Sequence, residues 1–593
     1  MRRFKFTKML LSIFAVVVSI SGITAEDVYL SIDRSAITPT RHEKMIKKLP
    51  ASVSVITKED IKMSNPNQTT DILEQVPGLF IRRTSAFGRA DVDIRGLGDN
   101  GRQVGVLIDG RPDKMGIFGC AVTHTLPLNN VERIEVIRGP ESVLYGSEAF
   151  GGIVNIITKR AKEKFEGGFV ASYGTYNTLK SRLQIGSKLD KVDYFISTSK
   201  NSTDGHITNS SYTATDITGQ FGYKFSDKSE LSFSGKSFSG TKNEPFPSVA
   251  GTWNTYDRGS FDATYKQNLN IADMSVKLYR SFGKHKFSDG FHSTDYTDGA
   301  MVHGFTMLSS RNEMSMGIDY RYQSGNILNT SPAKFIGEKH KYEYGVYVDD
   351  KQMLSNKLTV NAGARYNYDE YAKDAVTPKM GVVYNLTDST ILRGIWSQGF
   401  RAPQINDLFL WGGNENLKPE KVTNKEVGIR KQFGENIYID IGTFVMNGSD
   451  LIETVNSKKQ NTGNFEFKGV ETASNIRFSD SINGQVNYTY FDSGTKTQGR
   501  PGDKFVTSLK YAQGKLSGLV SGEYVGRYYA GDNSTQKIND YSILNLKVNY
   551  NVVKNLSVFG TIDNLTDVDY HVYYSGLYTM PKRTLSLGID YTF

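Results

Sequence analysis

From about Phe165 onward the chain alternates apolar and polar residues in runs of roughly ten, separated by short polar turns. Leu358, Val360, Ala362, Ala364, Tyr366 and Tyr368 share one face of an extended strand; Thr359, Asn361, Gly363, Arg365 and Asn367 share the other. The same dyad sets Val486, Tyr488 and Tyr490 against Gln485, Asn487 and Thr489. It also sets Leu544, Leu546, Val548 and Tyr550 against Asn545, Lys547 and Asn549. Strands of soluble sandwiches run about five or six residues, whereas a tilted strand crossing a bilayer needs about nine to eleven. The pattern therefore predicts a transmembrane β-barrel with an apolar outside and a wet lumen. Leu585, Leu587, Ile589, Tyr591 and Phe593 continue the alternation in the last strand. That strand must pair with the first, because lipid cannot satisfy an open edge.

Before Phe165 the pattern changes. Val131–Arg160 (VERIEVIRGPESVLYGSEAFGGIVNIITKR) reads as two strands around a turn holding Gly139, Pro140, Gly146, Gly151 and Gly152. A phosphate-binding loop is excluded, since no Lys follows these glycines at GxxxxGK[ST] spacing. No GxSxG or HExxH signature points to an enzyme.

The leader changes the picture of location. Arg2, Arg3, Lys5 and Lys8 precede an apolar run from Met9 to Ile20, and Ile23-Thr24-Ala25 ends in a small residue. Residues 1–25 are expected to be a signal peptide, too short in its apolar part to span a bilayer as a helix. The formal charge of +9 includes those four leader cations, so the mature chain is only mildly basic. With no concentrated basic run, nucleic acid is excluded as a partner. A single cysteine, Cys120, leaves no internal disulfide to form.

Against this background, five segments in order resemble the plug of TonB-dependent outer-membrane receptors. They are Leu49–Ile61 (LPASVSVITKEDI), Thr69–Ile81 (TTDILEQVPGLFI), Asp93–Gly98 (DIRGLG), Val106–Pro112 (VLIDGRP) and Val131–Arg160. Weaker barrel matches follow at Gly399–Pro403, Asn416–Glu420, Lys468–Glu471 and Asp563–Asp567. The resemblance implies a 22-stranded antiparallel outer-membrane β-barrel (165–593) around a small mixed α/β plug (48–160), preceded by a periplasmic segment (26–47). A barrel that wide cannot be filled by its own side chains and needs a plug. The resemblance places the protein in the outer membrane of a Gram-negative bacterium, among lipid and lipopolysaccharide. It implies insertion by the β-barrel assembly machinery, powering by the TonB-ExbB-ExbD complex, and delivery of a small metal chelate to a periplasmic binding protein.

The site residues follow from the same resemblance. Asp27, Val28, Tyr29, Leu30, Ser31 and Ile32 form the candidate TonB box, able to add as a strand to the partner's sheet. Two plug loops, 83–90 and 114–123, are expected to face the outside, with Arg83, Phe87, Arg89, Met115, Phe118 and Cys120 as ligand-binding candidates. Phe246, Trp253, Tyr256, Phe409 and Trp411 are expected in outer barrel loops, the last four as ligand-binding candidates. Arg82, Arg83, Arg89, Arg95 and Arg102 make the plug basic, as an anionic ferric siderophore would require, and some of them are expected instead to pair with lumen carboxylates such as Glu132, Glu135 and Glu148. Within the family the chain looks most like the vitamin B12 receptor and its catecholate-siderophore and colicin neighbours. A corrinoid is therefore the first expectation, a ferric siderophore the alternative, and haem or a passive porin the less favoured readings. No cofactor is expected to be covalently bound; the cargo carries cobalt or iron. Calcium is weakly supported, because Asp204, Asp216 and Asp257 are sparse for a cage of about six to eight oxygens. His285, His292 and His303 are expected in one outer loop, and no metal-ligating set is assigned.

Overall fold

The computed structural model describes residues 34–593 apart from 129, 246–250 and 331–332. The leader and the candidate TonB box, Asp27 to Ile32, lie outside the described residues.

Twenty-two antiparallel strands close into one barrel, from Glu166–Gly174 to Thr584–Thr592. Closure pairs the last strand with the first, Phe169 opposite Tyr591 and Ala171 opposite Ile589. The dyad divides the wall as its polarity dictates: Ala362, Ala364 and Tyr366 face outward, whereas Arg365 and Asn367 are buried inward. Tyr488 and Tyr490 likewise point out, and Asn487 and Thr489 point in. Both ends of the barrel lie on the side of short turns such as 310–311 and 514–515, which is the periplasmic side. The long connections 402–419 and 564–583 lie on the outer side.

Strand length departs from the sequence expectation. Lys458–Ser479 runs 22 residues and Ala333–Met353 runs 21, about twice what the membrane requires. Hairpin ladders continue into water on the outer side, where nothing ends them at the lipid boundary.

The lumen holds a five-stranded mixed sheet in the order Ser52–Thr57, Val131–Arg138, Gly152–Thr158, Gly105–Ile108, Arg111–Pro112. Only Gly105–Ile108 and Gly152–Thr158 run parallel. Ile134, Val136, Val154 and Ile156 pack its core against Ile72, Leu73 and Ile94. Gly152 adopts φ +148°, and a Cβ there would meet the Ile137 carbonyl oxygen at 2.5 Å, so crowding explains that glycine. The short helix Lys58–Ser64 starts with a capping box in which Thr57 and Asp60 exchange side-chain and backbone bonds.

Candidate functional site

Three sets of residues bear on function: a plug-to-wall ion network, an N-terminal clamp, and the outer face of the plug.

The network lies deep in the lumen. Arg95 donates to Glu426 at 2.8 Å and to Glu471 at 2.8 and 2.9 Å. Arg138 reaches Glu471 at 3.0 Å. On the wall, Arg393 pairs with Glu426 and, at 3.1 Å, with Asp440. Arg430 bonds Asp440 at 3.1 Å and donates to the Ile46, Leu49 and Ala51 carbonyls. The carboxylates expected from sequence are not the partners. Glu132, Glu135 and Glu148 all belong to the plug itself, and Glu132 pairs with Lys162. The barrel residues that hold Arg95 lie more than 300 positions away in sequence, so no local pattern shows them.

Glu135 does something else. It accepts from the Ile37 and Thr38 amides at 3.0 and 2.8 Å and from the Thr38 hydroxyl at 2.5 Å. Ser35–Ala36 pairs with Lys44–Met45 beside it. A buried carboxylate thus ties the chain at Ile37 and Thr38, a few residues after the candidate TonB box, to the plug sheet.

On the outer face, Gly119 in the left-handed region (φ +66°) lets the loop 115–120 close on itself. The Met115 amide bonds the Cys120 carbonyl at 3.0 Å, and the Gly119 amide bonds the Met115 carbonyl at 2.8 Å. Phe87, Met115, Phe118 and Cys120 are buried against Tyr212, Phe238, Tyr256 and Phe291 of the wall. Phe118 stacks on Trp411 at 5.8 Å, and Phe87 on Tyr212 at 5.5 Å. Arg83 is held by Asp71 at 2.7 Å and Glu74 at 2.6 Å, and Arg89 lies over the Tyr574 ring. Of the five aromatics expected in loops, Phe246 lies outside the described residues, and Phe409 and Trp411 lie in the outer connection 402–419. Trp253 and Tyr256 belong to the strand Trp253–Asn268, and Phe409 closes the helix Ile405–Phe409. Tyr256 is buried while Trp253 and Trp411 are exposed.

The histidine cluster also dissolves. His285 lies in the strand Ala272–Phe287; His292 and His303 lie in Phe291–Ser309. His285 sits against Arg258, and His303 bonds the Tyr347 hydroxyl at 2.8 Å. Asp216 and Asp257 are strand residues too. Among the described residues no three His, Cys, Asp or Glu side chains converge to hold a metal ion.

A cavity of about 300 Å³ opens between the plug face and the outer hairpins. Arg82 and Arg500 grip Asp99 within it at 2.9 and 2.7 Å. Burial works to raise the Asp99 pKa, but Arg500 and Arg82 outweigh it and hold the carboxyl at about 2. Phe465, Phe467, Tyr573 and Tyr574 supply aromatic walls. These residues converge from the plug and from separate hairpins, and apart from Arg82 they are absent from the sequence expectation. The one local signal is Arg500 itself, a lone arginine between Gly499 and Pro501 in an outer turn.

A 22-stranded barrel filled by a plug, with a cavity on its outer face, defines a plugged outer-membrane receptor. The comparisons with known proteins agree. The TonB-dependent receptor plug domain matches residues 46–153 and the TonB-dependent receptor-like β-barrel matches 161–565. The chain belongs to the TonB-dependent receptor family, and it is a Gram-negative outer-membrane protein rather than an enzyme. It is 23% identical to the iron-regulated outer membrane virulence protein of Vibrio cholerae El Tor over all of both chains. It is 25% identical to the vitamin B12 transporter BtuB of Vibrio vulnificus over 97% of each. Among solved structures, the siderophore receptor PirA of Acinetobacter baumannii superposes with TM-score 0.80 at 19% identity, covering 97% of this chain and 100% of that one. A mutant of the ferric enterobactin receptor PfeA of Pseudomonas aeruginosa gives 0.78 at 19%, covering 92% and 99%.

Proposed function

We propose that the protein imports a bulky metal chelate by TonB-dependent transport, and that a corrinoid is the cargo. The observation that carries the choice is the charge balance of the outer cavity. Arg82, Lys496 and Arg500 face Asp91, Asp99, Glu453 and Asp532, with Asn100, Gln103, Asn464 and Gln498 between them. A multiply anionic ferric chelate needs a surplus of cations, and this lining has none. A corrin periphery of amides needs donors and acceptors together beside apolar surface, which the lining and its aromatics supply. The similarity to a vitamin B12 transporter over 97% of the chain supports the same reading. The cavity is at the low end for ligand sites, so the cargo seats as the outer connections move aside.

A ferric siderophore is the second reading, favoured by a separate observation. A cavity of about 210 Å³ between plug and wall carries Arg83, Lys180, Lys547 and Lys582 against Asp71, Glu74 and Asp563, a small cationic surplus that suits an anion better than the outer cavity does. Equilibrium binding of cyanocobalamin and of ferric enterobactin to the purified receptor separates the two. Tight binding of cyanocobalamin alone supports the corrinoid; tight binding of ferric enterobactin alone rejects it.

In this account Leu30 and its neighbours pair with the energy-transducing partner, and force passes through the Thr38–Glu135 clamp to the plug sheet. Arg83, Phe87, Arg89, Met115, Phe118 and Cys120, with Trp253, Tyr256, Phe409 and Trp411, form the cover that the cargo displaces or touches.

A further inference from the structure

Plug and wall are not held equally all the way round. From the strand Ser229–Asn243 to the strand Lys458–Ser479 buried ion pairs join them: Lys236 with Asp113 at 2.6 Å, Lys379 with Glu141 at 3.1 Å, and Arg95 with Glu426 and Glu471 at 2.8 Å. Where the barrel closes, the 210 Å³ cavity separates the plug segment 64–75 from the wall strands Thr178–Lys188, Leu516–Gly526, Tyr541–Val553 and Leu556–Asp563. Ser172, Thr178, Ser521, Asn545, Thr561 and Ser586 line it with short polar side chains. Lys180 crosses it to Asn67 at 3.0 Å, and at its lower end Lys547 donates to the Lys62 carbonyl. Both acceptors are neutral. An ion pair on this side, Lys62 with Asp590 at 2.7 Å, leaves the lysine side chain 60% exposed, and exposed pairs contribute little. Asn65 Nδ2, in the same segment, is buried without a partner. The upper end of the cavity reaches Arg83 and Phe87, beneath the outer connection 564–583, where His206 meets the Thr579 carbonyl at 2.8 Å.

We propose that this seam is the translocation path. The cargo enters beside Arg83 and Phe87, passes between the plug segment 64–75 and the barrel closure, and leaves past Lys547 and Lys62, while the plug sheet stays docked by its ion pairs. The inference rests on the import proposed above and adds its route. At rest the cavity is smaller than the roughly 300–1,000 Å³ of ligand sites, so nothing bulky passes until the segment shifts. That shift breaks lysine bonds to an amide and a carbonyl. Moving the plug at Arg95 instead separates buried charges from their partners, which costs far more. Short hydroxyls and amides suit a path, because they offer a polar cargo hydrogen bonds in succession without a deep site to hold it.

The test locks one side of the plug at a time, in cells carrying the full receptor. Asn67→Cys with Lys180→Cys, bridged by a reducible bis-methanethiosulfonate, locks the seam. Ser147→Cys with Ala402→Cys forms a disulfide well round the barrel, where the Ala402 amide lies 2.9 Å from the Ser147 hydroxyl. Heat-modifiable migration in gels confirms that each variant folds, and each is compared with itself before and after reduction, so that only the lock differs. Uptake of labelled cyanocobalamin and of ferric enterobactin is followed. The seam lock should stop uptake until reductant restores it and leave surface binding as it is after reduction; the Ser147–Ala402 lock should leave uptake running. Uptake through a locked seam, or equal loss of uptake in both locks, overturns the proposal. A second readout needs no knowledge of the cargo. Ser521→Cys should react with fluorescein maleimide faster in energised cells supplied with both chelates than in cells treated with a protonophore, and labelling indifferent to energy overturns the proposal. Uptake of ferric enterobactin alone, stopped by the seam lock, rejects the corrinoid reading and supports the seam.

Discussion

Glu471→Gln is the substitution that most directly probes how the plug is held. The Glu471 carboxylate accepts both Arg95 and Arg138 from the plug, and its side chain is 4% exposed. The buried network holds four guanidinium groups, those of Arg95, Arg138, Arg393 and Arg430. Three carboxylates, Glu426, Glu471 and Asp440, oppose them. Gln keeps the shape and removes one anion, leaving Arg138 with no carboxylate within ion-pair distance. Removing one partner of a buried pair costs about 3–5 kcal/mol. At about 1.4 kcal/mol per tenfold, that weakens plug docking by roughly 10²- to 4 × 10³-fold. The assay is conductance of single receptors in a planar bilayer during a urea titration, where loss of the plug opens the barrel. The expected outcome is opening at a clearly lower urea concentration than in the wild type. An unchanged midpoint would refute the view that this network holds the plug.

Other outcomes follow from the same structure. Burial raises the Asp60 pKa, but Lys510 and Arg34 outweigh it and bring the carboxyl to about 2. Its folded value is therefore below the unfolded one of 3.8. The stabilisation, about 2 kcal/mol, is present above pH 4 and is lost as pH falls toward 2. Hydrogen exchange across Lys58–Ser64, corrected for intrinsic rates, should show that loss, and Asp60→Asn should remove its pH dependence. Arg500→Ala should free Asp99 from one of its two arginines and weaken cyanocobalamin binding about tenfold or more, read by equilibrium titration. Trp411→Ala removes the ring stacked on Phe118 and should speed cargo association without abolishing binding, read by stopped-flow fluorescence.

The barrel was legible because lipid imposes a two-residue alternation that nothing else in the chain mimics. The plug was legible because Val131–Arg160 and four other segments resemble a known family, and the glycines there answer to crowding such as that at Gly152. Ligand-facing residues were harder to read. Tyr256 and His285 look like loop residues if a strand is given only the length of the membrane, yet their strands run 16 residues. Arg82, Arg500, Phe467 and Tyr573 meet only because distant hairpins lean over the plug, a closure that no local pattern encodes. Arg95 illustrates the same limit inside the barrel: its basic character was visible in the sequence, its partners Glu426 and Glu471 were not.

The central claim is that this receptor does work on its cargo with energy delivered through residues 27–32. The direct measurement is accumulation of labelled cyanocobalamin by cells carrying either the wild type or Leu30→Pro, alongside surface binding by each. Pro removes the amide that strand pairing with the partner requires. The account predicts equal surface binding, uptake by the wild type that a protonophore stops, and no energised uptake by Leu30→Pro. Uptake by Leu30→Pro at the wild-type rate, or wild-type uptake indifferent to the protonophore, would contradict it.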